Sequence, residues 1–206
     1  MLEGTDPEES DQAMFEVRIH GRGGQGVVTA ADMLSVAAFL EGRHAQAFPF
    51  FGSERFGAPV VAFCRVSDAA IRSREPISEP DVLIIQDATL MHQPGVLAGL
   101  KRGGYVVVNS GREASVAGVE RLAEELPPGH LTVVPATALA MTHVHRPVPN
   151  AALLGAFAAL TGWVSLDAVE QAIREKFPAK VAEGNVAAAR EAASLVRTET
   201  REPTHA

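Results

Sequence analysis

Apolar and polar side chains alternate through Phe15–Ile19 (FEVRI), the period of a half-buried strand, and the run ends at a cluster of glycines. From Val27 to Leu40 the spacing changes. Val27, Ala31, Leu34 and Ala38 recur at helical intervals, and Gly42 and Arg43 stand where a helix would close. Ala45–Phe48 predicts a short strand that leads into a loop of Phe, Gly and Pro, FPFFGSERFGAPV. Val60–Val66 (VVAFCRV) predicts a strong strand. In Asp81–Gln86 (DVLIIQ) the apolar run is unbroken, which predicts burial on both faces, as in a parallel sheet. Tyr105–Asn109 (YVVVN) and Leu131–Val134 (LTVV) complete the series. Helix-length segments between these strands predict a layered α/β fold of βαβ type.

Past Pro149 the character changes. NAALLGAFAALTGWV, LDAVEQAIREKF and AKVAEGNVAAAREAASLVR predict three consecutive helices, with Asp167 and Pro178 near helix starts and Asn150 suited to an N-cap. The expected organisation is one domain over residues 14–197. An acidic, disordered tail (1–13) precedes it and a second tail (198–206) follows.

Composition narrows the function more than the fold. The chain has 206 residues and a net charge of −7, with no Lys/Arg cluster, so nucleic acid and anionic membranes are poor partners. No apolar run approaches a membrane span, and the acidic start is not a signal peptide. The single cysteine, Cys64, suits a reducing cytoplasm. One thiol cannot hold an iron–sulfur cluster, which takes about four.

Gly21, Gly23 and Gly26 match G-x-G-x-x-G between a strand and a helix, where bare backbone can approach a phosphate at a helix N-terminus. A tight turn that binds nothing is the plain alternative. A nucleotide triphosphate loop would end in Gly-Lys-Ser/Thr, but here Val27 and Val28 follow Gly26 and no lysine occurs before Lys101. A nicotinamide site would place an acid at the end of the second strand; Glu41 precedes that strand and PFFGSERFG follows it.

Other candidates each have a simpler reading. Ser53, Glu54 and Arg55 border a ligand site at the carboxyl end of a strand, or the loop is an interface in which Glu54 and Arg55 pair with a neighbouring subunit. Phe48, Phe50, Phe51 and Phe56 form a contact surface or fill the core. His143 and His145 lack a Cys, Asp or Glu close in sequence to complete a metal site. Asp87 reads as a helix cap, and Cys64 as a small buried hydrophobe.

Three stretches in order, GRGGQGVVTAADML, PFFGSERFGAPVVAFCRVSD and NAALLGAFAAL, resemble the gamma subunit of pyruvate/2-oxoacid:ferredoxin oxidoreductases, with likeness running from about Phe15 to Val196. The resemblance implies a Rossmann-like three-layer fold with a mostly parallel sheet and a helical C-terminal cap. It implies a chain inactive alone, partnered by alpha, beta and delta-type subunits that carry thiamine diphosphate, magnesium and iron–sulfur clusters and pass electrons to ferredoxin or another acceptor. It further implies that Gly21, Gly23, Gly24, Gln25, Gly26, Ser53, Glu54 and Arg55 border a coenzyme A site at the subunit junction. No cofactor is expected on this chain by itself and no residue is expected to be catalytic. The rival readings are a stand-alone Rossmann-type nucleotide-binding regulator and an isolated NAD dehydrogenase.

Overall fold

The computed structural model describes residues 14–50, 56–111 and 119–201. The first strand, β1 (Met14–Arg22), runs beyond the expected Ile19. It does so because antiparallel pairing with β3 (Pro59–Ser67) continues through Gly21 opposite Val60 and Arg22 opposite Pro59. The first glycine of the motif is therefore a strand residue, and the turn begins only at Gly23. α1 (Val27–Leu40) follows as expected, with Val27, Ala31, Leu34 and Ala38 all buried. β2 (His44–Phe50) forms the edge.

β4 (Val82–Ile85), β5 (Tyr105–Asn109) and β6 (Leu131–Val134) complete one sheet of order β2-β3-β1-β4-β5-β6. β1, β4, β5 and β6 pair in parallel, while β3 is antiparallel to both of its neighbours. Only β3 runs against the rest, so the sheet is mostly parallel. Val82–Ile85 is wholly buried, as its unbroken apolar run requires of a central strand.

Most helices pack on one face. α1 shares a continuous core there with α4 (Asn150–Thr161), α5 (Leu166–Lys176) and α6 (Ala179–Arg201), over Val17, Ile19, Cys64 and Ile84 of the sheet. The three C-terminal helices thus make up much of one layer of the sandwich. Leu153, Leu154 and Phe157 of α4 are fully enclosed, and each such side chain contributes about 1.5–3 kcal/mol. α6 runs on to Arg201, past the boundary expected at 197. Val196 is buried, and Thr198 Oγ1 donates to Ser194 O one turn back. Residues 1–13 and 202–206 lie outside the described residues.

The opposite face is thinner, with α2 (Val119–Glu125) and a 3₁₀ turn (Ala88–His92) over Leu83, Ile85, Val106 and Val108. No helix joins β3 to β4, contrary to the expected alternation. Two arginines hold that irregular segment instead. Arg18 of β1 donates to Ile77 O (3.3 Å), and Arg65 of β3 donates to Glu75 O (2.7 Å) and is itself fixed by Glu16 Oε1 (2.8 Å). Backbone carbonyls that a helix would have satisfied internally are satisfied by guanidinium groups. A further helix, α3 (Ala136–Val144), was not expected; its first turn is tied down by Thr137 N donating to Asn109 Oδ1 at 3.1 Å.

Candidate functional site

The motif glycines sit at the carboxyl edge of the sheet, between β1 and the start of α1. Gly23 exchanges backbone hydrogen bonds with the start of β3: its N–H donates to Ala58 O (2.9 Å) and its carbonyl accepts from Gly57 N (3.2 Å). Gly24 and Gly26 have φ of 96° and 75°, the left-handed region in which any side chain is strained. A Cβ on Gly24 would lie 2.7 Å from the Phe56 ring, and one on Gly26 would lie 2.5 Å from Asn150 Nδ2. Gly26 needs glycine for backbone and for space, with buried Asn150 beside it; Gly24 needs it for backbone, since the exposed Phe56 ring has room to turn aside.

Gln25 holds the turn from within. Its Oε1 accepts from Arg22 N at 2.8 Å and its Nε2 donates to Asp87 Oδ2 at 3.3 Å. Asp87 also accepts from Arg22 Nε at 2.9 Å, and caps the 3₁₀ turn through Thr89 N. Burial alone would raise its pKa, but hydrogen bonds from Thr89 and Arg22 outweigh burial and hold the carboxyl below its usual range. Asp87 is thus the cap expected, and it fastens the glycine loop as well.

Above the loop lies an open cleft of about 510 Å³. Gly23, Gly24 and Gly26 form its floor, the first turn of α1 (Val27–Thr29) one side, and Phe56 and Val60 the apolar wall. The first i→i−4 bond of α1 is donated by Ala30 to Gly26 O, so the amides of Val27, Val28 and Thr29 precede the helical ladder. Arg22 is the charged residue of the lining. The arrangement suits a ligand with an anionic group and an apolar portion.

Strand order decides against a standard dinucleotide site. There the second parallel strand lies beside the first and carries the ribose-binding acid. Here the antiparallel β3 occupies that position and brings Val60 to the cleft. Glu41 is remote in role, its Oε1 accepting from Ser165 N at 2.7 Å.

Of the expected site residues, Gly21, Gly23, Gly24, Gln25 and Gly26 gather at this edge; Ser53, Glu54 and Arg55 lie outside the described residues, as does Phe51. Phe56 is 95% exposed against Gly24, whereas Phe48 packs on Phe63 with ring centroids 5.1 Å apart. Asn150 is not an N-cap. It is buried in the first turn of α4, and its Nδ2 donates to Gly26 O at 3.4 Å. Helix α4 starts one residue earlier than the sequence pattern implies, at a proline cap, and this turns Asn150 inward. His143 pairs with Glu191 at 2.6 Å, a partner distant in sequence, and no group of three metal-ligating side chains exists among the described residues. Cys64 is buried, its thiol pushed up to about 12 by burial and then by Asp32. Arg22, Thr89 and Asn150 were not foreseen at the site. The signal for Arg22 was its place between two glycines of the motif.

Residues 16–195 match the family model described as pyruvate ferredoxin/flavodoxin oxidoreductase. The chain is 49% identical to the pyruvate/ketoisovalerate oxidoreductases common subunit gamma of Thermococcus kodakarensis, over 87% of this chain and 95% of the relative. It is 46% identical to pyruvate synthase subunit PorC of Methanocaldococcus jannaschii, over 85% and 93%. The crystal structure of pyruvate oxidoreductase subunit PORC from Thermotoga maritima superposes with a TM-score of 0.73 at 36% identity, covering 88% of this chain and 96% of that one.

Proposed function

The chain belongs to the pyruvate ferredoxin/flavodoxin oxidoreductase family as a gamma-type subunit, and from that premise we propose that its glycine cleft supports the coenzyme A end of an active site shared with companion subunits. On this reading the assembly decarboxylates a 2-oxoacid oxidatively and yields the acyl-coenzyme A; pyruvate and ketoisovalerate are the oxoacids in the relatives' names.

The observation that carries this reading is the cleft itself. Bare backbone at Gly23, Gly24 and Gly26, the leading amides of α1 and an apolar wall of Phe56 and Val60 meet in one concavity. Coenzyme A supplies matching chemistry, with phosphates for the donors and an aromatic base and aliphatic arm for the wall. The chain's contribution is to bind and orient, and to exclude water from the face it covers.

Redox equipment fits elsewhere. A chain whose one cysteine is buried with a raised thiol pKa offers no thiolate set for an iron–sulfur cluster. On this proposal, alpha, beta and delta-type subunits hold thiamine diphosphate, magnesium and the clusters, and deliver electrons to ferredoxin or another acceptor. The exposed Phe56 and Phe50 suit contact with one of those chains. No described helix is long and apolar enough to cross a membrane, and a cytoplasmic complex accords with the free thiol. The domain proposed to fold and assemble spans about residues 14–197, with α6 continuing past it.

Replacing Gly24 with Val in the assembled complex tests the reading. The complex should co-purify with unchanged thiamine and iron content, and its affinity for coenzyme A should fall about tenfold or more. Unchanged affinity in an intact complex overturns the proposal.

A further inference from the structure

We propose that Arg22 is the cationic arm of the cleft, gripping a phosphate of the bound ligand with a guanidinium that Asp87 and Thr89 hold in position. This rests on the reading that the cleft takes coenzyme A.

Three hydrogen bonds orient the group. Nε donates to Asp87 Oδ2 at 2.9 Å, Nη1 to Gly57 O at 3.2 Å and Nη2 to Thr89 Oγ1 at 2.9 Å. These use one N–H on each nitrogen, and among the described residues one N–H on each terminal nitrogen is left over. The side chain is 32% exposed and lines the cleft beside Gly23 and Gly24. It is the only charged residue in that lining among the described residues. A planar guanidinium fixed at three points, with donors spare on its two outer nitrogens, is preorganised for phosphate oxygens. The anion would also meet the positive end of α1.

Asp87 has a double effect in this arrangement. It orients Arg22, and it places a negative charge near the anion, so it lowers the affinity that Arg22 provides. This separates the proposal from a purely structural role. If Arg22 only fastened the loop to Asp87, cutting the pair from either side would weaken ligand binding alike. As a phosphate receptor, Arg22 gives unequal losses: its own removal takes away the charge that meets the phosphate, whereas removal of the Asp87 charge only loosens a guanidinium that stays in the cleft.

The experiment measures equilibrium binding of coenzyme A to the assembled complex without oxoacid. Arg22→Gln should weaken binding about 10- to 100-fold and flatten its salt dependence. Asp87→Asn keeps one acceptor oxygen but loses the other, so it loosens the guanidinium without removing its charge; it should weaken binding clearly less than Arg22→Gln does and keep the salt dependence of the parent. Pantetheine, which lacks phosphorus, should bind both variants and the parent alike. Dephospho-coenzyme A locates the contact: a persisting loss in Arg22→Gln assigns the arm to the pyrophosphate, and a vanished loss assigns it to the 3′-phosphate. If Arg22→Gln fails to assemble, Arg22→Lys, which keeps the charge without the fork, carries the same comparison with Asp87→Asn at a smaller loss.

Parent-like coenzyme A affinity in Arg22→Gln overturns the inference, as does an Asp87→Asn loss that equals it. Gly24→Val, run alongside, separates the two levels. If it weakens binding while Arg22→Gln does not, only the role of Arg22 falls. If neither changes binding, the coenzyme A reading of the cleft falls too.

Discussion

Arg18 Nε donates to His20 Nε2 across 3.0 Å, two residues apart on β1 and therefore on one face of the strand. The accepting nitrogen must be unprotonated. Burial first, and the Arg18 charge second, depress the His20 pKa to about 4. An unfolded histidine titrates near 6.5, so protons favour the unfolded chain between these values. The stability contributed by neutral His20 is complete above about pH 6.5 and is lost as pH falls toward 4. The loss is on the order of 3 kcal/mol at the acid end. Urea unfolding at pH 7 and pH 4.5 should show the drop, and His20→Gln should remove much of that pH dependence. Equal pH slopes in parent and variant would contradict the assignment.

α4 and α6 touch through backbone at Gly155, where a Cβ would lie 2.1 Å from Ala189 O. Gly155→Ala should force the helices apart and cost about 2 kcal/mol or more, roughly 4–8 °C in Tm for a chain of this size. Gly111→Ala, with open space around its Cβ, is the control and should leave Tm unchanged. A parent-like Tm for Gly155→Ala would mean that the helix contact is looser than described.

With its thiol pushed up to about 12 and no exposed surface, Cys64 should resist disulfide-exchange reagents at pH 8. Titration of the native protein should release no thiol promptly, and denaturant should release the single one. Prompt native labelling would place Cys64 at the surface.

Gln86 is fully enclosed at the end of β4, and neither side-chain polar atom has a partner among the described residues. Such a group carries a desolvation cost of about 1–3 kcal/mol. Gln86→Met, similar in volume, should therefore match or exceed the parent in Tm. A fall of several degrees would reveal a buried water or other partner on the amide.

The local signals in the sequence carried β4, β5, β6, α1 and the three C-terminal helices, because burial imposes period or continuity on those segments. Where tertiary contacts decide, the pattern fell silent. β1 gained Gly21 and Arg22 from β3 pairing, which no alternation encodes. The β3–β4 connection looked long enough for a helix, yet Arg18 and Arg65 hold it irregular from a distant strand pair. At the site, the glycines were legible as bare backbone and the missing ribose acid was legible as an absence. The reason for that absence, an antiparallel strand inserted beside β1, was not. Asn150 read as a cap because an asparagine opening a helix suits that position, and only the fold shows it turned onto Gly26.

The paired bonds between Gly23 and the Gly57–Ala58 segment continue the β1–β3 ladder beyond Arg22 opposite Pro59. The motif is consequently no free flap but the last rung of a sheet, stiff before any visitor arrives. An incoming molecule meets a ready-cast floor, and little of its association energy is spent on freezing backbone motion. The same stiffness makes the rung a lever: a neighbour that pulls on Gly57 shifts Gly23 with it.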